Sequence, residues 1–189
     1  MSPRATGFAA VVLGVTRLAR GRADGFACFG DSTAHFSASL APFVALPLVG
    51  TLVLLVQGGG IMPALVDLLA TWAALLAPPV VSWELARRWQ REALWLRYAI
   101  AFNWCLWVMP VAAIAASLLL GVLVQIGVPT RIGATVLPAL LLGYGLWLHW
   151  FLARVGLSLS AGRAALLVVL TNLATSLLAL GPLAFSVAG

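Results

Sequence analysis

Four polar side chains interrupt long apolar runs of this sequence and could do chemistry there: Asp67, Asn103, His149 and Asn172. A charge at the middle of a bilayer costs roughly 2.5–3.5 kcal/mol on insertion scales, so polar groups in such runs pair with one another or mark a functional site. Counted along helices, Asn103, His149 and Asn172 lie about 6, 7 and 12 Å from the same side of the membrane. We therefore predict one polar layer facing the bundle interior, which either holds helices together or forms a small polar site open to that side.

Asp67 and Arg131 form a second candidate pair. Asp67 is the one acidic residue well inside an apolar run, about 9 Å from the nearer end. Arg131 begins a later run on the same side, and its long side chain can reach several ångströms along a helix. We predict a partly buried ion pair between them. The alternative is that Asp67 is protonated or bonds hydroxyls such as those of Thr71 or Thr135.

No catalytic residue, metal ligand or cofactor is predicted. The sequence has no plausible Ser–His–acid set, no clustered carboxylates and no glycine loop followed by Lys and a hydroxyl residue. Its two cysteines, Cys28 and Cys105, predict neither a disulfide framework nor a zinc site. A haem held by two histidines would need an intramembrane partner for His149, and His35 lies only near the end of its run. The sequence favours a non-enzyme and leaves open whether a pigment or haem is bound.

The apolar runs that must position these residues predict a polytopic membrane protein. The chain has 189 residues, of which 63% are hydrophobic and 8% charged, and its mean hydropathy is +1.09. A soluble domain has roughly 45–50% apolar and about 25% charged residues, so a water-soluble fold is excluded. All eleven basic residues are Arg. Because they cluster between apolar runs, the net charge of +6 indicates membrane topology and no nucleic-acid partner.

Five of the runs are long enough to be transmembrane helices. They cover residues 36–56, 61–83, 99–126, 132–152 and 164–187. Each has at least about 20 residues, the length that crosses the hydrocarbon core. Lipid offers no partner to backbone amides, so these runs must be helical. The predicted fold is an all-α, five-helix transmembrane domain over residues 36–189, with prolines that kink several helices.

The arginines predict the orientation of this domain. Ten of the eleven lie before the first span or in the two connections on the same side, and Arg131 alone lies on the other side. The positive-inside rule then places the N-terminus in the cytoplasm and the C-terminus outside, in a bacterial inner membrane. Seven of the eight tryptophans lie near the Arg-rich ends, where they would form a one-sided aromatic belt.

Residues 1–35 are predicted to form a cytoplasmic amphipathic segment on the membrane surface. Apolar residues repeat there at helical spacing, but only about 12 of them precede Arg17, too few to span. Asp31, Ser32 and Thr33 then provide N-cap chemistry for the first span.

The connection at 82–97 continues in a helical pattern, with Glu84 spaced to pair with Arg87 or Arg88 and Arg88 spaced to pair with Glu92. It is predicted to be a solvated helical elbow. The alternative is a face for a partner protein or anionic lipid head groups. That face would be formed by four arginines: Arg87, Arg88, Arg91 and Arg97.

The last part of the chain carries a family resemblance. Residues 141–170 read LLGYGLWLHWFLARVGLSLSAGRAALLVVL, a tryptophan-bearing span, a turn of the pattern G-L-S-x-S-x-G-R-A and a final aliphatic helix. This arrangement resembles bacterial members of the Yip (Rab/Ypt-interacting protein) membrane superfamily, and five spans with a cytoplasmic N-terminus fit it. The resemblance implies membrane organisation or partner binding and no catalytic residues. Residues 21–40 also resemble the openings of alphaproteobacterial-type membrane proteins, a resemblance that brings no activity.

The sequence therefore favours a scaffold or accessory subunit that binds other membrane proteins or itself. Short loops and few intramembrane charges suit that role. So do four small residues along the third span: Ala112, Ala113, Ala115 and Ala116. The alternative is a small transporter or channel acting as an oligomer, although no inverted repeat is visible. The predicted partners are the bilayer, its anionic head groups and other membrane proteins.

Overall fold

A computed structural model describes residues 7–58, 60–127 and 129–187. These residues form helices and turns and contain no strand. The helices in chain order are α1 (Phe8–Ala19), a 3-10 helix (Ala23–Cys28), α2 (Thr33–Val56), α3 (Ile61–Arg88), α4 (Glu92–Cys105), α5 (Val108–Gln125), α6 (Thr130–Gly156) and α7 (Ala161–Val187).

Five helical segments are long and apolar enough to cross a membrane, as the sequence predicts. They are α2, α3, α4 together with α5, α6 and α7. Their ends differ from the predicted ends mainly where arginines follow the apolar run. For example, α3 continues past residue 83 to Arg88, and α4 begins at Glu92. Hydropathy marks the apolar part of a helix, whereas the backbone hydrogen bonds continue into its polar last turns.

Between α4 and α5, Leu106 and Trp107 keep helical dihedral angles, but the regular hydrogen bonds are interrupted next to Pro110. A proline has no N–H to donate to the carbonyl four residues earlier, and its ring crowds that carbonyl. The Leu106 carbonyl accepts instead from the Met109 N–H at 3.3 Å. By contrast, α3 runs through Pro78 and Pro79 as one helix.

Two tight turns connect the helices at the Arg-rich end of the bundle. After α3, Gln90 has a φ of 58°, and the Arg91 N–H donates to the Ala86 carbonyl at 2.7 Å. After α6, Ser158 has a φ of 51°, and the Leu159 N–H donates to the Arg154 carbonyl at 2.9 Å. Both are Schellman-type helix ends. The connection at 82–97, predicted to be a helical elbow, consists of the end of α3 and the start of α4 joined by a turn at residues 89–91.

The start of α2 is capped as predicted. The Ser32 hydroxyl accepts from the His35 N–H at 3.3 Å, which satisfies one of the free donors of the first turn.

The core of the molecule surrounds α4 at the Arg-rich end. α4 packs against α1, α2, α3 and α6, and its residues 98–103 are all buried. The most extensive helix pair is α3 with α7. In contrast, α5 buries none of its residues and packs mainly against α6. The bundle is thus closely packed at one end and open at the other.

Part of α1 packs against protein, at Val11, Gly14, Val15 and Leu18, whereas Phe8 and Val12 are exposed. Leu18 is fully buried, and the Tyr144 hydroxyl of α6 donates to the Ala19 carbonyl at 2.7 Å. The 3-10 helix approaches α1 so closely that a Cβ at Gly25 would lie 2.8 Å from the Gly14 carbonyl oxygen. Gly14 and Gly25 therefore allow the 3-10 helix to pack closely against α1.

Candidate functional site

A cavity of about 240 Å³ lies where the third span breaks. α4 packs against α1, α2, α3 and α6 up to this level, whereas α5 packs mainly against α6, which leaves space beside the junction of the two helices. The space left is walled by α3, the end of α4, the start of α5, α6 and α7. His149 lies about 10 Å along α6 from Gly156, and Asn172 lies about 17 Å along α7 from Ala161. The cavity is therefore well inside the apolar part of the bundle.

Polar side chains form one edge of the cavity, and not all of their hydrogen-bonding atoms have a partner. The Asn172 side-chain amide donates to the Val168 carbonyl at 2.8 Å, and the same nitrogen lies 3.5 Å from His149 Nδ1. An amide nitrogen carries two hydrogens, so the second is available to Nδ1, which must then be the acceptor. This assignment places the imidazole proton on Nε2.

Two polar atoms on this edge lack partners. His149 Nε2 and Thr171 Oγ1 are buried and have no hydrogen-bond partner among the described residues, and the two side chains are 8% and 2% exposed. An unsatisfied buried polar group costs about 1–3 kcal/mol. Asn172 itself is exposed at the rim. The polar residues of this edge thus include Asn172 at the rim and two side chains whose unpartnered atoms are covered by protein.

Asn103 belongs to a different contact, and this corrects the predicted three-residue layer. Its amide donates to the Ser39 hydroxyl of α2 at 3.0 Å, and that hydroxyl donates to the Phe36 carbonyl at 2.7 Å. Residues of the third span that line the cavity, such as Phe102 and Leu106, are spaced by one turn. Asn103 is displaced about 100° from Phe102 around the helix, so it faces α2 instead.

The predicted ion pair between Asp67 and Arg131 is not formed, which is a second correction. Both side chains are exposed, and neither takes part in an ion pair with any described residue. α3, which carries Asp67, packs mainly against α7 and α2, whereas α6, which begins beside Arg131, packs against α7, α4 and α5. The two helices are therefore not principal neighbours.

Three of the four arginines of the predicted face make ion pairs within the chain, with two carboxylates between them. Arg87 and Arg88 pair with Glu84 at 2.9 and 2.8 Å, as predicted, and Arg97 pairs with Asp31 at 3.1 Å. The pair that the sequence allows between Arg88 and Glu92 is not formed.

Two further arginines at this end stack on tryptophans, Arg154 over Trp150 at 5.1 Å and Arg163 over Trp89 at 5.9 Å. Arg91 differs from both groups because its Nε is buried without a hydrogen-bond partner among the described residues. Arg91 is therefore the member of the predicted face that makes no ion pair with the described residues.

A small ion-pair cluster also fixes the 3-10 helix. Arg22 donates to the Asp24 carboxylate at 3.2 and 2.8 Å, and Arg17 lies 3.5 Å away. The hydrogen bonds from Arg22, together with the charges of both arginines, hold the pKa of Asp24 below its ordinary value.

The structure adds residues to the site that the sequence analysis did not single out. Thr175 and Cys105 line the cavity. Thr175 follows Thr171 by one helical turn, and this spacing is a signal that could have placed both on the polar edge. Cys28 and Cys105 are free thiols. Within the described ranges, no group of three or more His, Cys, Asp or Glu could hold a metal ion.

Comparison of the chain with protein-family models, curated proteins and solved structures finds no match. The resemblance to the Yip superfamily therefore stays a prediction.

Proposed function

We propose that this chain is a non-enzymatic, multi-pass protein of a bacterial inner membrane, a scaffold or accessory subunit that binds other membrane proteins or a second copy of itself. Its N-terminus would lie in the cytoplasm. The proposal depends mainly on α5. This helix is apolar enough to lie in a membrane, yet none of its residues is buried by the rest of the chain.

The surface of α5 favours another helix as its cover over lipid alone. Pro110, Ser117 and Gly121 are exposed and share one face of the helix, and no atom lies within 4 Å of a Cβ placed at Gly121. Small residues one turn apart let two membrane helices approach closely, and this packing drives helix association in lipid. If this face of α5 contacted only lipid, Leu or Val would suit these positions equally well.

The Arg-rich end supports the orientation. Arg97 of α4 pairs with Asp31, which precedes α2, and Arg163 of α7 stacks on Trp89 after α3. The three segments that carry ten of the eleven arginines thus contact one another at one end of the bundle. Such a concentration of arginine is retained on the cytoplasmic side.

A pair of variants on α5 tests the proposal. Gly121→Ile blocks the small-residue face, and Ala115→Ile adds a similar bulk to another exposed face of the same helix. Two differently tagged copies are co-expressed, purified in mild detergent and analysed for co-purification of the second copy and of other membrane proteins by mass spectrometry. We expect Gly121→Ile to reduce recovery of the partner about tenfold and Ala115→Ile to leave it unchanged. Equal recovery with both variants, or a monomer without partners in the wild type, would contradict the proposal.

A further inference from the structure

Two arginines beside the turn between α6 and α7 have no carboxylate partner. Arg154 lies two residues before the end of α6, and Arg163 lies two residues after the start of α7. Both are exposed, and neither forms an ion pair with a residue that the structure describes. In contrast, Arg87 and Arg88 share the Glu84 carboxylate at the same end of the bundle. The positive charge at the α6–α7 turn is therefore available to an anion from outside the chain.

Tryptophan rings hold both guanidinium groups in place. The Arg154 group lies 5.1 Å from the centre of the Trp150 ring, and the Arg163 group lies 5.9 Å from that of Trp89. These distances are within the range in which a cation is attracted to an aromatic face. Trp150 is itself fixed, because its Nε1–H donates to the Ala161 carbonyl at 3.1 Å. The two arginines are thus positioned by stacking and not by hydrogen bonds to a carboxylate.

Stacking leaves the hydrogen-bond donors of these arginines free. A guanidinium group has five N–H donors in its plane, and a ring beneath it covers only the face of that plane. The planar fork of donors matches the oxygens of a phosphate, to which arginine can donate two parallel hydrogen bonds. Arg88, by comparison, already donates to Glu84 at 2.8 Å. The chemistry at the α6–α7 turn therefore favours a phosphate group as ligand.

The depth of the two arginines favours a phosphate that belongs to a lipid. Each lies about 3 Å along its helix from the end, in a segment apolar enough to cross a membrane. Tryptophan rings prefer the level of the head groups, which is also the level of the lipid phosphates. Leu166 and Leu170 are exposed and follow Arg163 by three and seven residues, so they share its face of α7. An acyl chain below a bound phosphate would have an apolar surface to lie on.

We infer that the α6–α7 turn binds the phosphates of anionic phospholipids through Arg154 and Arg163, with acyl chains lying along Leu166 and Leu170 of α7. The inference rests on the proposed membrane location of the chain. It moves the main lipid contact from the predicted arginine face to the α6–α7 turn, because three of the four arginines of that face are occupied by carboxylates.

The test uses the full chain, purified in detergent and titrated with dioleoylphosphatidylglycerol or dioleoylphosphatidylcholine. Bound lipid is counted by native mass spectrometry for the wild type, Arg154→Gln, Arg163→Gln and Arg87→Gln. The last variant is the matched control, since it removes the same charge from the same end but at an arginine paired with Glu84. We expect each turn variant to weaken phosphatidylglycerol binding about fivefold and the control to leave it unchanged. Phosphatidylcholine carries its own ammonium group, so we expect it to bind the wild type more weakly.

Three outcomes would overturn the inference: equal affinity of the wild type for the two lipids, an equal loss of affinity in Arg163→Gln and Arg87→Gln, or binding of free glycerol phosphate as tight as that of the lipid. The midpoint of thermal unfolding without added lipid is measured for every variant. All three arginines are exposed, so the variants are expected to fold. A chain that stays soluble without detergent and takes up neither lipid would contradict the membrane location itself, which separates that failure from failure of the site.

Discussion

Some buried hydroxyl groups in this molecule have a hydrogen-bond partner and others have none. This difference should be measurable as a difference in the free energy of unfolding. Ser39 both accepts from Asn103 and donates to the Phe36 carbonyl. Thr171 Oγ1 is buried without a partner among the residues that the structure describes. Removing a paired hydroxyl leaves its partner unsatisfied, whereas removing an unpaired one relieves a cost.

We therefore expect opposite signs for two small substitutions. Ser39→Ala should lower the free energy of unfolding in detergent by about 1–2 kcal/mol, because the Asn103 amide loses its acceptor. Thr171→Val should leave it unchanged or raise it by about 1 kcal/mol. Both can be measured by denaturant unfolding followed by circular dichroism. A loss of stability in Thr171→Val as large as that in Ser39→Ala would mean that Thr171 has a partner in the folded protein.

Asp24 predicts a dependence of stability on pH in the N-terminal segment. Its hydrogen bonds and ion pairs with Arg22 and Arg17 lower the pKa of the carboxyl in the folded state. In the unfolded chain the ordinary value is about 3.9. The stabilisation is therefore present above about pH 4 and is lost as the pH falls through the lower folded-state pKa.

Asp24→Asn should remove this part of the acid dependence. The effect is small because the pair is exposed to solvent. Proteolysis of the N-terminal segment, followed as the pH is lowered from about 5 to about 2 with an acid-stable protease, would measure it. The same acid sensitivity in Asp24→Asn and in wild type would show that another group is responsible.

At the level of helices, the irregular hydrogen bonds between α4 and α5 lie beside the cavity. Pro110→Ala restores an N–H that can donate to the Leu106 carbonyl. We expect slower hydrogen exchange at residues 106–108, because the i→i−4 hydrogen bonds can then continue through the junction. Pro138→Ala, within α6, is the control and should not change exchange there. Unchanged exchange in Pro110→Ala would show that packing, and not the proline, maintains the irregular turn.

The sequence alone was sufficient to predict the five apolar helices, because a helix that crosses a bilayer must be about 20 residues long and mostly apolar. It could not locate the break, because Pro78, Pro79 and Pro110 look alike in sequence and only Pro110 accompanies one. It placed His149 and Asn172 at similar depth, and the structure brings them together. Depth along a helix does not determine which face a residue occupies, which is why Asn103 was grouped with them and packs elsewhere.

On the scale of the whole molecule, close packing at the Arg-rich end contrasts with sparse packing at the other. Core residues such as Tyr98, Leu152 and Leu157 lie at the Arg-rich end. Large apolar side chains of α2 and α5 are exposed beyond it. In water such an arrangement would aggregate, but lipid covers apolar side chains at no cost. The open end is therefore the part of the molecule that can adapt to a neighbour.

The orientation of the molecule can be tested with two introduced thiols. In a background without Cys28 and Cys105, Ser160→Cys places a thiol in the exposed turn between α6 and α7, and Gln57→Cys places one at the opposite end of α2. A membrane-impermeant maleimide added to spheroplasts should label Gln57→Cys, and it should label Ser160→Cys only after permeabilisation. The reverse pattern would contradict a cytoplasmic N-terminus.

The hydrogen bond between Tyr144 and Ala19 joins residues 125 positions apart. It can therefore form only after most of the chain has been synthesised. A ribosome adds about 5–20 residues per second, so α1 exists for roughly 6–25 s before Tyr144 is made. During that time α1 lacks its contacts with α6, and only the 3-10 helix and then α4 are available to pack against it. The packing of the first helix to be synthesised is therefore complete only after α6 is made, and a chain that stops before α6 leaves it without part of its final packing.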